Sequence, residues 1–110
     1  MTETTSLFVY GTLRDETVQH ALFRHVPTST PDTVAGYRRI MVPLSEPGEP
    51  AINYPMLIPD ADAAPVPGDI LELSTIELAM ADEYEGEDYA RISVETCGGR
   101  KVWVYVKPQE

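Results

Sequence analysis

The stretch Leu7-Phe8-Val9-Tyr10-Gly11-Thr12-Leu13-Arg14 lies near the amino terminus and decides the fold. Strand-forming residues at positions 7–10 run directly into Gly11, and Asp15, a residue that caps helices, follows. This order predicts a strand, a glycine turn and the start of a helix. The N–H groups of such a turn converge on one point, which suits an anion or a developing oxyanion. Taken alone, the pattern is explained equally well by a glycine that only turns the chain.

Nucleotide binding is not supported by this stretch. It lacks the second and third glycines of a dinucleotide fingerprint, and it lacks the lysine of a phosphate-binding P-loop.

Composition limits the classes of partner. A chain of 110 residues is long enough for one domain, residues 1–110, whose core needs neither metal nor disulfide. Its 18 acidic and 8 basic residues give a formal net charge of -10. Because such a surface repels phosphate groups, we expect neither a nucleic-acid partner nor an anionic membrane partner. The plainest meaning of the charge is solubility.

The sequence predicts a cytoplasmic protein. No apolar run approaches the ~20 residues that span a bilayer. The polar, acidic segment of residues 1–6 does not resemble a signal peptide. Cys97 is the single cysteine, so an internal disulfide is impossible and a reducing compartment is expected.

Two helices are predicted. The first covers residues 16–25 behind an N-cap at Asp15. Its apolar face consists of four residues at helical spacing: Val18, Ala21, Leu22 and His25. The second covers residues 75–84, where Ser74 and Glu77 form a capping box.

The remaining segments read as strands and loops. Strands are predicted over residues 7–10, 33–42 (with a bulge at Gly36), 52–58, 66–73, 89–96 and 100–106. Gly98-Gly99 predicts a two-residue hairpin turn between the last two strands. Residues 43–50 hold three prolines and a glycine and form the longest loop, which we expect to be functional.

These elements predict an α+β fold. No βαβ rhythm repeats, so a doubly wound sheet is excluded. The best interpretation is a small mixed, mostly antiparallel β-barrel with about two helices packed outside it.

Glu85 is the strongest candidate for chemistry. Leu78, Ala81 and Glu85 fall on one helix face, which places the carboxyl below an apolar line. The helix is predicted to end at Gly86, so the helix dipole also disfavours a negative charge there, and both effects raise the pKa. The alternative is a solvated glutamate at a frayed helix end. Two neighbouring acids are expected to point into solvent: Asp82 and Glu83.

The other reactive side chains give weaker signals. Cys97 has no histidine near it in sequence and reads as a passive turn residue. His20 and His25 do not share a helix face, so no metal site is expected. Arg91 is expected to form a surface ion pair, and Tyr89 is close enough in sequence to touch Glu85.

An ordered set of short motifs resembles the gamma-glutamylcyclotransferase-like (AIG2-like) family. The motifs run along nearly the whole chain: Phe8-Val9-Tyr10-Gly11-Thr12-Leu13-Arg14, Asn53-Tyr54-Pro55, Val66-Pro67-Gly68-Asp69, Asp82-Glu83-Tyr84-Glu85-Gly86, Tyr89-Ala90-Arg91 and Trp103-Val104-Tyr105-Val106. Each piece is short, and the specificity lies in their order.

The resemblance implies a small mixed barrel with a pocket at the first strand-to-helix turn. It also implies the release of 5-oxoproline from a small gamma-glutamyl compound, without a cofactor or a metal. By residue match, Glu85 corresponds to the catalytic glutamate. The substrate-binding residues are expected to be Tyr10, Gly11, Thr12, Leu13 and, beside Glu85, Tyr89. We expect a monomer or a weak homodimer.

The sequence departs from the family pattern in three places. Ala81 stands where leucine is usual, Asn53 stands where glycine is usual, and Asp15-Glu16 occupies the place of a common glycine. The departing amine stays open among a free amino acid, a polyamine, a lysine side chain and a carrier-bound group, and the loop of residues 43–50 is expected to decide. The alternative function is a non-catalytic binding protein that uses the same pocket, which the acidic loop of residues 45–49 would reshape.

Overall fold

The computed structural model describes residues 4–44, 47–50 and 52–108. These residues form seven β-strands, two α-helices and one turn of 3-10 helix. In chain order they are β1 (Thr4–Val9), the 3-10 turn (Thr12–Arg14), α1 (Glu16–Phe23), β2 (Ser29–Val34), β3 (Tyr37–Leu44), β4 (Ile52–Pro59), β5 (Val66–Ser74), α2 (Thr75–Glu85), β6 (Ala90–Glu95) and β7 (Lys101–Val106). No helix among these residues has the length and apolar character that crossing a membrane requires.

The strands form two sheets. The larger has the order β2-β5-β1-β7-β6, and the smaller pairs β3 with β4. Every pair is antiparallel except β1 with β7, which run parallel. The predicted α+β class, with a mixed and mostly antiparallel sheet and two helices, is confirmed. The strands do not close into a hydrogen-bonded barrel over the described residues; the β3–β4 pair, called here the β3–β4 arm, packs on the larger sheet instead.

Gly36 separates the two sheets. The strand predicted over residues 33–42 is in fact two strands, β2 and β3, which belong to different sheets. Gly36 adopts a φ of 86°, and its carbonyl accepts a hydrogen bond of 2.9 Å from the N–H of Asp60. Because the left-handed region favours glycine, this residue turns the chain from one sheet to the other rather than forming a bulge.

Strand β1 is buried on both faces, as the alternation of its residues predicts. Leu7 and Val9 belong to the apolar cluster that lies under the helices. Phe8 and Tyr10 belong to a second cluster on the opposite face, which includes Leu57 of the β3–β4 arm. The helices therefore pack on one face of β1, and the β3–β4 arm packs on the other. Strand β1 ends at Val9, so the residues that follow it, beginning at Tyr10 and Gly11, lie between these two layers.

Helix α1 begins as predicted and ends earlier. The Asp15 side chain accepts a hydrogen bond from the N–H of Thr17, and the helix stops where Arg24 adopts a φ of 67°. Ala21 and His25 are exposed, whereas Gln19 and Phe23 are buried. The predicted apolar face was thus partly wrong, because the helix turns its Gln19–Phe23 line toward the core.

Helix α2 has both ends that the sequence predicts. Ser74 and Glu77 form the complete capping box, and Gly86 caps the carboxyl end by donating its N–H to the Asp82 carbonyl. The last hairpin differs slightly, since Thr96 and Arg100 pair across three turn residues rather than two.

Candidate active site

A cavity of about 490 Å³ opens where the Gly11 turn, the carboxyl end of α2 and the β3–β4 arm meet. The Gly11 turn is defined here as Gly11 together with the 3-10 turn Thr12–Arg14. The six residues that the sequence singles out all line this cavity: Tyr10, Gly11, Thr12, Leu13, Glu85 and Tyr89. The fold therefore brings together two motifs that stand about seventy positions apart in the chain; their action on a substrate stays a prediction.

Glu85 is the last residue of α2 and is partly buried in the cavity wall. Leu78 and Ala81, which precede it on the same helix face, are buried. Removal of the carboxyl from water disfavours its charged form and raises the pKa of Glu85 to about 7. A carboxyl with this pKa is present in both protonation states near neutral pH, as a group that accepts and returns a proton requires.

The Gly11 turn presents backbone N–H groups. Arg14 and Asp15 donate their N–H groups within the turn, to the carbonyls of Gly11 and Thr12, each at 3.0 Å. The N–H groups of Thr12 and Leu13 come before the first of these bonds, where a helix has no acceptor of its own. They are therefore the donors that this turn offers to a bound anion or oxyanion.

The buried side chain of Gln19, on α1, stabilises the Gly11 turn. This side chain is 2% exposed, and its Nε2 donates a 2.7 Å hydrogen bond to the Leu13 carbonyl. The bond satisfies a carbonyl at the end of the 3-10 turn and so fixes the plane of that peptide. The sequence offered no signal for it, because a glutamine on a helix is ordinarily solvated.

A close contact between Gly11 and Pro55 joins the turn to the β3–β4 arm. A Cβ atom added at Gly11 would lie 2.7 Å from Cγ of Pro55, which is closer than real Cβ atoms approach. Only glycine therefore lets the arm close against the turn at this point.

Three tyrosines of the cavity wall donate their hydroxyl protons to fixed acceptors. Tyr10 donates to the Tyr105 carbonyl at 2.6 Å, Tyr89 to the Pro55 carbonyl at 2.8 Å, and Tyr105 to Oδ1 of Asp82 at 2.8 Å. Burial raises the pKa of each of these phenols above its ordinary value. All three stay neutral near pH 7 and do not compete with Glu85 as a base.

Comparison with known proteins agrees with this architecture. The model of the family described as "Gamma-glutamyl cyclotransferase, AIG2-like" matches residues 7–110. The chain belongs to this family.

One curated protein of this family is similar to the chain over most of its length. AIG2-like protein C from Arabidopsis thaliana is 32% identical over 90 residues, which cover 81% of this chain and 48% of that protein. The chain thus spans about half the length of this curated relative.

Two solution structures of Arabidopsis thaliana proteins share the fold. The match to the first has a TM-score of 0.75 and 28% identity, and it covers 96% of this chain and 62% of that protein. The second has a TM-score of 0.76, covers 94% and 68%, and at 24% identity supports the fold alone.

Asp82 has two partners that the sequence did not predict. Its side chain is 39% exposed, as expected of a solvated acid, but its Oδ1 also accepts the Tyr105 hydroxyl and lies 2.9 Å from Nε of Arg91. The predicted surface ion pair of Arg91 is thereby confirmed, and Glu83 is exposed as expected. The sequence missed the partners of Asp82 because they lie on strands β6 and β7, which the helical pattern does not reveal.

Other cavity residues were not singled out from the sequence. Tyr84 is one of them, and its hydroxyl lies 3.0 Å from the Thr12 hydroxyl, so it links the end of α2 to the Gly11 turn. Tyr54 and Asp88 also line the cavity. From the loop of residues 43–50, Glu49 reaches the cavity, while residues 45 and 46 lie outside the described part.

Arg14 holds the turn rather than facing the cavity. Its Nε lies 2.9 Å from Oδ2 of Asp69 on β5. Cys97 is exposed. Over residues 4–44, 47–50 and 52–108, no group of three or more His, Cys, Asp or Glu side chains is placed to hold a metal ion.

Proposed function

We propose that this protein is a cyclotransferase that converts a gamma-glutamyl compound into 5-oxoproline and a free amine. Family membership supports a function of this general type. The observation that carries the proposal is the Glu85 carboxyl, whose pKa burial raises to about 7, in a cavity that also contains the Gly11 turn. A base and a set of oxyanion donors are the two groups that this reaction needs.

The reaction is an intramolecular exchange of one C–N bond for another. The neutral α-amine attacks the γ-carbonyl carbon of the same glutamyl group, and a tetrahedral oxyanion forms. The attacking nitrogen then carries one proton more than the lactam retains, and the Glu85 carboxylate takes it. When the bond to the departing nitrogen breaks, Glu85 returns that proton to it. Proton transfer of this kind accelerates reactions by roughly 10²–10⁴-fold.

The Gly11 turn would stabilise the oxyanion. The N–H groups of Thr12 and Leu13 are held by the backbone hydrogen bonds of the 3-10 turn, so they need little reorganisation as charge develops. Loss of one such donor costs about 3–4 kcal/mol of transition-state stabilisation. The cavity would also hold the glutamyl group of the substrate folded, which brings the amine close to the carbonyl.

The decisive experiment replaces Glu85 by glutamine. The amide keeps the size of the side chain and loses the ability to take a proton. We expect Glu85→Gln to fold at least as stably as the wild type and to lose at least about 10²-fold in 5-oxoproline release. Product would be measured by mass spectrometry after incubation with a mixed panel of gamma-glutamyl amines, amino acids and peptides.

Glu83→Gln is the matched control, since Glu83 is exposed on the same helix and does not line the cavity. It should retain wild-type turnover. A fully active Glu85→Gln, or equal losses in the two variants, would remove Glu85 from the mechanism. The wild-type rate should also rise with pH through about 7, because the base form of Glu85 becomes populated there.

A binding protein without turnover is the second candidate. The observation in its favour is that Glu49, from the loop of residues 43–50, lines the cavity. The acidic loop therefore contributes to the shape and the charge of the site. Equal thermal stabilisation of the wild type and Glu85→Gln by a gamma-glutamyl ligand, with no product from either, would establish it. Release of 5-oxoproline by the wild type would exclude it.

A further inference from the structure

Gln19 is a buried polar residue that takes no direct part in the proposed reaction. It lies on α1 with 2% of its surface exposed, and its Nε2 donates a 2.7 Å hydrogen bond to the Leu13 carbonyl. Its Oε1 is also buried and has no hydrogen-bond partner among the described residues. The amide thus satisfies one buried group and leaves another unsatisfied, so its net contribution to stability is small. Its effect on the Gly11 turn is the more informative property.

The peptide group between Leu13 and Arg14 is held at both ends. Its carbonyl accepts the hydrogen bond from Gln19. Its N–H, which belongs to Arg14, donates to the Gly11 carbonyl at 3.0 Å. Because the carbonyl and the N–H of a planar trans peptide point in opposite directions, the bond from Gln19 on one side sets the direction of the bond to Gly11 on the other.

The peptide group between Gly11 and Thr12 carries this constraint to the cavity wall. Its carbonyl is the acceptor of the Arg14 N–H. A fixed carbonyl also fixes the N–H of the same planar group, which is the Thr12 N–H. Gly11 and Thr12 line the cavity that Glu85 also lines. An unbroken path of two hydrogen bonds and two peptide groups therefore joins the buried Gln19 amide to a donor at the cavity.

Two further contacts hold the Gly11 turn through its side chains. The Leu13 side chain, which is 2% exposed, packs in the apolar cluster under the helices. The Arg14 side chain pairs with Asp69, and because both partners are partly exposed this pair contributes little to stability. Of these three contacts, the Gln19 bond is the one that acts on a peptide group and so on the orientation of the backbone.

We propose that Gln19 is a positioning residue for the Gly11 turn, and that its bond to the Leu13 carbonyl keeps the Thr12 N–H aimed at the tetrahedral oxyanion. This role rests on the proposed function, because that function assigns the oxyanion to the turn. Gln19 does not touch the substrate. It acts through two peptide groups, and a donor that is displaced by about 1 Å loses much of its effect on the transition state.

Three variants separate the bond from the fold. Gln19→Met removes the donor together with the unpartnered Oε1 and keeps an unbranched side chain of similar size. Gln19→Asn keeps an amide but is one methylene shorter, so its nitrogen no longer lies within hydrogen-bond distance of the Leu13 carbonyl. Asp69→Ala is the matched control, since it removes a different side-chain contact of the same turn.

The first measurement is amide hydrogen exchange of the free protein by NMR, which requires neither substrate nor turnover. Without the Gln19 bond the peptide before Arg14 is held at one end only, so the Arg14 amide should exchange at least about 10-fold faster in both Gln19 variants. The Arg24 amide, which donates to the His20 carbonyl at the end of α1, is the internal reference and should change by less than about threefold. A general loosening of α1 would accelerate both amides alike.

The second measurement is turnover of the gamma-glutamyl compound that the wild type converts best. Because the oxyanion develops only on the way to the transition state, kcat should fall by about 10–10²-fold in both Gln19 variants while KM stays within about threefold. Asp69→Ala should keep kcat within about twofold of the wild type. Thermal unfolding curves establish that each variant is folded at the assay temperature.

Unchanged Arg14 exchange in the Gln19 variants, or unchanged kcat, would overturn the proposal, and so would an equal loss of kcat in Asp69→Ala. If Gln19→Met does not fold, Gln19→Asn decides by the same two measurements. Faster Arg14 exchange with no 5-oxoproline from the wild type would refute the cyclotransferase and leave Gln19 as the residue that orients the turn. Product from the wild type with full kcat in the variants would refute the role of Gln19 alone.

Discussion

The cavity has two walls of different construction. One is formed by the end of β1, the Gly11 turn and the end of α2, all of which rest on the larger sheet and its buried clusters. The other is formed by the β3–β4 arm, whose strand β4 changes along its length from Ile52, 59% exposed, to Leu57, fully buried. The arm is thus anchored at one end and exposed at the other.

This difference suggests that the two walls of the cavity have different roles. The groups proposed for chemistry, Glu85 and the N–H groups of the Gly11 turn, belong to the first wall, which rests on the buried clusters. The arm and the loop beside it contribute Leu44, Glu49 and Ile52 at the cavity edge. Segments with few buried contacts tolerate change better than packed ones. We therefore expect the departing amine to be selected at the arm and the chemistry to be conserved at the opposite wall.

The largest expected effect tests the anchor of the arm. Leu57→Ala removes a fully buried side chain from the cluster between the arm and β1, and should lower the free energy of unfolding by about 2–5 kcal/mol. Ile52→Ala, a truncation on the same strand, should change it by less than about 0.5 kcal/mol because that side chain is mostly exposed. Urea denaturation measures both. Similar losses in the two variants would contradict the contrast between the ends of the arm.

The next effect tests the burial of Glu85 in the first wall through pH. The folded protein raises the Glu85 pKa from 4.5 to about 7, so its contribution to stability is complete below pH 4.5 and is lost as pH rises through 7. Glu85→Gln lacks this loss. It should gain in stability relative to the wild type between pH 4.5 and pH 8, by up to about 3 kcal/mol. Unfolding curves of the two proteins across this range measure the gain; a difference independent of pH would place the carboxyl in water.

The smallest effect tests the contact between the walls. Gly11→Ala places a methyl group against Cγ of Pro55 and should destabilise the protein by about 1–3 kcal/mol through overpacking. Pro55→Ala in the same chain removes the obstructing ring atoms, so the double variant should be less destabilised than the sum of the two single variants. Strict additivity in denaturation experiments would show that the Gly11–Pro55 contact does not determine how closely the walls approach.

Local patterns predicted much of this structure because their causes are local. The alternation in β1, the capping box at Ser74 and the face shared by Leu78, Ala81 and Glu85 each depend on residues within a few positions of one another. These features located the candidate base and the candidate binding turn. The family resemblance then connected the two.

The missed features depend on distant partners. Tyr10 donates to a carbonyl 95 positions away, and Tyr89 to one 34 positions away. In the sequence, Asp82 resembles the other acids of a solvated helix face, because its partners Arg91 and Tyr105 lie on β6 and β7. Nothing in the spacing around Gly36 distinguished a bulge within one strand from a turn between two sheets, since glycine serves both.

The sequence by itself determined the class of fold, most of the elements and the residues to examine, because hydrogen bonding and side-chain periodicity within each segment suffice for these, and the order of its short motifs indicated the family. Only the tertiary structure decided that the Gly11 turn and Glu85 share a cavity, that Asp82 attaches the end of α2, and that the β3–β4 arm leaves the larger sheet. These outcomes follow from packing between segments far apart in the chain. The raised pKa of Glu85 belongs to the same group, because burial in the folded protein produces it.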